Sequence, residues 1–166
     1  MKFSDEYIAG FFDGDGSLVA TLEKLSSSYL RKYRPRIKIN FTQHMRHFGM
    51  LCGIQKYLNA GKVSIAETHN LAELVIVDRN DVSRVLNKML PHLVLKKQQA
   101  IIALEIISQL GDNLRTNMIS DQNYTAIIKN IAKIRSLNSN TGGKKKFSSF
   151  DPVTTSPEIV EGVSPS

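Results

Sequence analysis

The chain has 166 residues, 42% of them hydrophobic, with 22 Lys and Arg against 15 Asp and Glu and a formal charge of +7. These values suit one globular domain with a sizeable core, or one domain plus a tail, and the positive excess points to a polyanionic partner, nucleic acid first and an anionic membrane second. The lone Cys52 excludes a disulfide framework and a cysteine-based zinc site and, set among apolar neighbours, is expected to be a small core residue; no apolar run reaches the length of a membrane span. With no signal-peptide pattern at the start, the expectation is an intracellular protein.

From the N-terminus, the first feature is Tyr7–Ser17, Y-I-A-G-F-F-D-G-D-G-S. Its first part predicts a short helix, with Ser4 as cap and Asp5 and Glu6 in the first turn, where the dipole favours negative charge. Ala9 and Gly10 are small enough for another backbone to approach, and Gly14 lies one turn beyond Gly10. Asp13 and Asp15 fall at the negative pole of that helix, which disfavours carboxylates and so points to a cation. The plainer reading is an acidic turn feeding a strand. A calcium loop is excluded, because the twelfth position counted from Asp13 is Lys24 where glutamate is needed.

Ser17–Leu25 alternates as a strand with Leu18, Ala20 and Leu22 on one face, and Ser26–Ser28 makes a polar turn. Arg34–Gln43, R-P-R-I-K-I-N-F-T-Q, predicts a second half-buried strand with Pro35, Ile37, Ile39 and Phe41 inward. Its other face, Arg34, Arg36, Lys38, Asn40 and Thr42, contains no acid. A solubilising surface would mix signs, whereas these side chains suit phosphates and base edges. Met45–Leu58 predicts a helix closed by Asn59-Ala60-Gly61. Lys62–Glu67 and Glu73–Val77 predict a hairpin with Val63, Ile65, Leu74 and Ile76 facing the core. A helix capped by Asp78 or Asn80 runs to Leu90 and Pro91, a second covers Lys96–Leu110, and a third covers about Asp121–Leu137 with Ile127, Ile131 and Ile134 buried. Residues 1–138 therefore form one domain, and 139–166 a basic, polar, partly flexible tail. The order helix, two strands, helix, two strands implies an α+β fold with a four-stranded antiparallel sheet covered on one face.

Tyr7–Ser17 resembles the signature of the LAGLIDADG homing endonucleases. The resemblance continues through Phe41-Thr42-Gln43, Leu93–Ala100 and Leu137-Asn138, covering about residues 5 to 146, and is closest to members that carry one signature and act as homodimers. It implies an α-β-β-α-β-β-α core whose sheet forms a DNA-binding saddle, with helices added at the C-terminus. It implies that Asp15 binds a catalytic divalent metal, that the Gly14 carbonyl helps line the metal site, and that Asp13 serves structure and helix termination. Gln43 and Lys96 match positions that organise water and charge around the scissile phosphate, with Lys97 the alternative to Lys96 after a one-residue slip. Where relatives carry an arginine after the second strand, this chain has His47 with Arg46 beside it.

A single signature supplies half a site, so two copies about a twofold axis would bring two Asp15 side chains together. Tyr7, Ala9, Gly10, Phe11, Asp13 and Gly14 are the expected interface. A strand of about nine residues spans roughly 30 Å, or about nine base pairs. The expected DNA contacts are Val19, Thr21 and Glu23; Arg34, Arg36, Lys38, Asn40 and Thr42; Ser64, Ala66, Thr68, Glu73 and Val75; and Lys144 in the basic tail. Glu23 and Glu73 would accept from cytosine or position a basic neighbour. The resulting expectation is a homodimeric, sequence-specific endonuclease that breaks double-stranded DNA and promotes intron mobility. It would use Mg2+, with Mn2+ able to substitute and Ca2+ binding without supporting cleavage, and would have no membrane partner or small-molecule substrate. The alternatives are a catalytically silent DNA-binding regulator and an intron RNA maturase of the same fold.

Overall fold

A computed structural model describes residues 2–26, 31–111 and 119–139. Its elements are α1 (Asp5–Asp15), β1 (Gly16–Lys24), β2 (Tyr33–His44), α2 (Phe48–Leu58), β3 (Lys62–Ala66), β4 (Leu71–Ile76), α3 (Arg79–Met89), α4 (Lys97–Leu110) and α5 (Asp121–Ser139). The strands form one antiparallel sheet in the order β1-β2-β4-β3. This is the α-β-β-α-β-β arrangement expected from the sequence, followed by three helices.

Local signals place these elements. The Ser4 hydroxyl accepts the Tyr7 N–H and starts α1, a cap typically worth about 1 kcal/mol. Asp78 accepts from Asn80 and Asp81 and starts α3. Asn59 and Gly61, both at positive φ, turn the chain from α2 into β3. Gly61 has a further constraint, since a Cβ there would lie 2.6 Å from the Val75 carbonyl oxygen.

Alternation then decides the faces. Pro35, Ile37, Ile39 and Phe41 of β2, Leu18 and Ala20 of β1, and Ala72, Leu74 and Ile76 of β4 are all buried. They pack beneath Ile8 and Phe12 of α1, Leu51, Ile54 and Leu58 of α2, and the inner stripes of α3, α4 and α5, including Ile127, Ile131 and Ile134. Pro35 is tolerated because β4 pairs with β2 only from Ile39 onward, so at Pro35 the sole ladder is with Leu22 of β1.

Three expectations change. Met45–His47 forms a 3-10 turn, not the start of α2, because β2 continues to His44, whose side chain accepts the Arg46 N–H. Ile65 lies on the inward parity but is 42% exposed, since β3 is the sheet edge. Cys52 is half-buried, not a core residue. The turn at residues 27–28 and the tail from 140 on lie outside the described residues. No helix among the described residues is long and apolar enough to cross a membrane.

Candidate active site and nucleic-acid face

The two signature acids end α1 on opposite sides of it. Residues two apart on a helix are rotated by roughly 200°, so if Asp13 faces the core, Asp15 faces out. Asp13 is 9% exposed, and its carboxylate accepts the backbone N–H groups of Val94 (2.7 Å), Leu95 (3.2 Å) and Lys96 (2.9 Å). Lys96 is the N-cap residue of α4 and its side chain makes no capping bond, so Asp13 supplies the cap from α1. The electrostatic objection to an acid at the end of α1 is thereby answered by the positive pole of α4.

The contact is reciprocal, because the Lys96 ammonium donates to the Asp13 backbone carbonyl and sits 5.9 Å from the centre of the Phe12 ring. Burial pulls the Lys96 pKa down, while the charges of Asp13 and Asp15 oppose that shift. Of the two candidate lysines, Lys96 is half-buried against Asp13 and Phe12, whereas Lys97 is exposed.

Asp15 is exposed, and its Oδ2 accepts the Gln43 side-chain amide at 2.7 Å. Because Gly16 pairs with Phe41, the end of α1 and the end of β2 lie side by side, which brings Gln43 to Asp15. Asp15 and Gln43 are thus bonded to each other, and Lys96, held by the Asp13 carbonyl, lies near enough to feel the Asp15 charge. Arg46 and His47 are both exposed, and Arg46 Nε donates to His47 Nε2 at 3.0 Å, so the two form one unit. Among the described residues no group of three or more His, Cys, Asp or Glu could hold a metal. One exposed carboxylate with the neighbouring Gly14 carbonyl fits a hard cation that keeps waters and takes other ligands from outside the chain.

The expected interface residues separate by helical phase. Tyr7 (48% exposed), Gly10, Phe11 and Gly14 form an outward stripe at i, i+3, i+4 and i+7. A Cβ on Gly10 or Gly14 would meet nothing within 4 Å. Ala9 is fully buried in this chain's own core and Asp13 caps α4, so neither faces outward as expected, being a quarter-turn or more off the stripe. Sequence reasoning passed over Val94 and Leu95, which at 79% and 72% are highly exposed apolar side chains beside Asp13. Their signal was an apolar pair between a helix stop and a lysine pair.

On the uncovered face of the sheet, Val19, Thr21 and Glu23 of β1, Arg34, Arg36, Lys38, Asn40 and Thr42 of β2, Ser64 of β3, and Glu73 and Val75 of β4 are half or fully exposed. Ala66, also on β3, is half-buried. Thr68 is not on a strand, since Glu67–His69 form a 3-10 turn joining β3 to β4. Lys144 lies outside the described residues. The basic face is not acid-free in three dimensions. Glu23 Oε2 accepts from Arg34 Nη2 (2.7 Å) and Arg36 Nε (2.8 Å), which hold its carboxyl at a pKa of about 2. Thr42 donates to Glu73 at 3.5 Å.

This architecture is shared with known proteins. The family model "LAGLIDADG endonuclease" matches residues 8–101. The chain is 36% identical over 111 residues to the DNA endonuclease I-CvuI of Chlorella vulgaris, covering 66% of each. It is 30% identical over 104 residues to the DNA endonuclease I-CreI of Chlamydomonas reinhardtii, covering 63% of this chain and 62% of that one. The matches thus span slightly less than two thirds of either relative. A crystal structure of I-CvuI in complex with the I-CreI target in the presence of Mg superposes with a TM-score of 0.74 at 29% identity, covering 86% and 85% of the two chains. An archaeal intron-encoded homing endonuclease, I-Vdi141I, shares the fold with a TM-score of 0.71 at 18% identity, covering 89% and 88%. The four-stranded sheet with its flanking helices is a LAGLIDADG fold, and the chain belongs to the LAGLIDADG endonuclease family.

Proposed function

We propose that two copies of this chain form a metal-dependent endonuclease that cuts both strands of a long, twofold-related DNA site. The observation that carries the reading is the Gln43–Asp15 bond, with Lys96 held two residues away on Asp13, beside a sheet face rich in arginine, lysine and small polar groups. Relatives support it: I-CvuI has been crystallised on DNA targets in the presence of Mg, with the DNA uncleaved, and of Ca.

Asp15, with the Gly14 carbonyl, would hold a divalent cation. Such a cation supplies Lewis-acid stabilisation of phosphate charge and a nucleophilic water at neutral pH. Gln43 fixes the Asp15 carboxylate through its amide and keeps a carbonyl oxygen with which to orient a water. Lys96, anchored through the Asp13 carbonyl, offers a cationic head near the phosphate where negative charge develops. Since one chain brings one exposed signature acid, the outward stripe of Tyr7, Gly10, Phe11 and Gly14 is the surface on which a second copy would supply the other. Mg2+ is the proposed working ion, with Mn2+ as substitute and Ca2+ supporting binding alone.

Asp15→Asn tests this reading. Binding of a matched duplex should persist in Ca2+ while cleavage in Mg2+ disappears, and a variant that still cuts would remove Asp15 from its role.

A further inference from the structure

The outer face of β1 and β2 holds one cluster of charged side chains bonded to one another. Glu23 stands opposite Arg34 in the ladder and diagonal to Arg36, which is opposite Thr21. Arg34 donates from Nε (3.2 Å) and Nη2 (2.7 Å), and Arg36 from Nε (2.8 Å), all to the same oxygen, Glu23 Oε2. All three side chains are 42–44% exposed, so the cluster is open to a ligand.

The nitrogens used matter. Arg36 is held only through Nε, which leaves both of its Nη groups to donate elsewhere, and Arg34 is held through Nε and one N–H of Nη2, which leaves Nη1 and the second N–H of Nη2. Two parallel N–H groups from such a pair match the O6 and N7 acceptors of guanine in the major groove. A free arginine must surrender rotamer entropy to present its fork, and a carboxylate that already holds the guanidinium lowers that cost.

We propose that Glu23 is a positioning residue that presents Arg34 and Arg36 as a coupled pair of guanine readers, not a base contact in its own right. This rests on the DNA-cleavage reading above and adds a target feature to it. Arg36 and Arg34 lie seven and nine residues before Gln43. At roughly 3.3 Å per residue and 3.4 Å per base pair, each half-site carries guanine about seven and about nine base pairs outward from the site beside Gln43.

The test is selection of bound duplexes from a double-stranded library randomised over a half-site, with the full chain in Ca2+, followed by affinities for guanine against the other bases at the enriched positions. The wild type should enrich two guanines about two base pairs apart. Arg36→Lys should reduce discrimination at the inner one by about tenfold or more. Glu23→Ala should weaken discrimination at both, leave the positions facing Lys38 and Asn40 unchanged, and raise affinity for unrelated DNA, because a carboxylate has been removed from a cationic face. A merely structural role would lower specific and unrelated binding together. In the Glu23→Ala, Arg36→Lys double variant the losses at the inner guanine should not add.

Undiminished guanine preference in Glu23→Ala, or fully additive losses, would overturn the positioning role, the latter assigning Glu23 to a base directly. A library that yields no enriched duplex with the wild type overturns the DNA-cleavage reading itself, and the positioning role with it.

Discussion

The Asp13 carboxylate accepts the backbone N–H of Lys96 at 2.9 Å, joining residues 83 apart in sequence and capping α4 from the end of α1. The same two residues are tied a second time through the Lys96 ammonium and the Asp13 carbonyl. One acid in the last turn of α1 therefore satisfies the backbone entering α4 and, through its own carbonyl, holds the Lys96 side chain in place.

Asp13→Ala should accordingly be among the most damaging single changes in the chain. It strands three backbone donors, those of Val94, Leu95 and Lys96, at a partly buried junction. A loss of about 2–4 kcal/mol is expected, read by urea denaturation, with Asp13→Asn intermediate because it keeps an acceptor. An unchanged denaturation midpoint for Asp13→Ala would refute the capping role.

Gln43→Ala should separate chemistry from binding. The amide 2.7 Å from Asp15 Oδ2 orients that carboxylate, while the rest of the sheet face is untouched. Single-turnover cleavage should slow by about ten- to a hundredfold with DNA affinity within about twofold of wild type. An equal loss in binding would place Gln43 among the DNA contacts instead.

Gly10→Leu should strengthen the protomer and abolish the assembly. A side chain at Gly10 meets nothing of its own chain, and replacing a mid-helix glycine gains about 0.5–1 kcal/mol of helix propensity. Light scattering should report a monomer, circular dichroism an intact fold and cleavage assays no activity. A dimer that tolerates leucine would move the interface elsewhere.

The Glu23 cluster makes a pH prediction. Arg36 and then Arg34 lower this carboxyl from 4.5 to about 2, so it is ionised throughout the range in which the protein would work. A depressed folded-state pKa means the interaction contributes fully above 4.5 and is lost only as pH falls toward 2. Guanine preference should therefore be flat from pH 5 to 8. A carboxyl NMR titration should find Glu23 near 2 in the wild type and closer to 4.5 in the Arg34→Gln, Arg36→Gln double variant. A midpoint near 4.5 in the wild type would mean the cluster does not form in solution.

Much of the fold was readable in the chain because its signals are local. Period-two alternation in Arg34–Gln43 assigned each side chain of β2 to its face, and helical spacing marked Ile127, Ile131 and Ile134 as buried. Capping at Ser4 and Asp78, and the turn at Asn59 to Gly61, were likewise marked by side chains within a few residues of the boundaries they set. Where a side chain's surroundings depend on a neighbouring strand or helix, the reading failed. Ile65 is exposed because β3 has no strand beyond it, and Ala9 is buried because α1 presents a different arc to the core than the small-residue pattern implied.

By itself, the amino-acid sequence determined the element order, the two faces of the sheet and the family signature in Tyr7–Ser17. Only the tertiary structure decided what those side chains touch. It turned Asp13 inward to the backbone entering α4 and Asp15 outward to Gln43, brought the Lys96 ammonium to the Asp13 carbonyl while leaving Lys97 exposed, and set Glu23 against two arginines of a strand face that itself carries no acid. The physical reason is distance along the chain. Periodicity and capping act over a few residues, whereas these partners are 11 to 83 residues apart and meet only when the sheet register and the helix packing are in place.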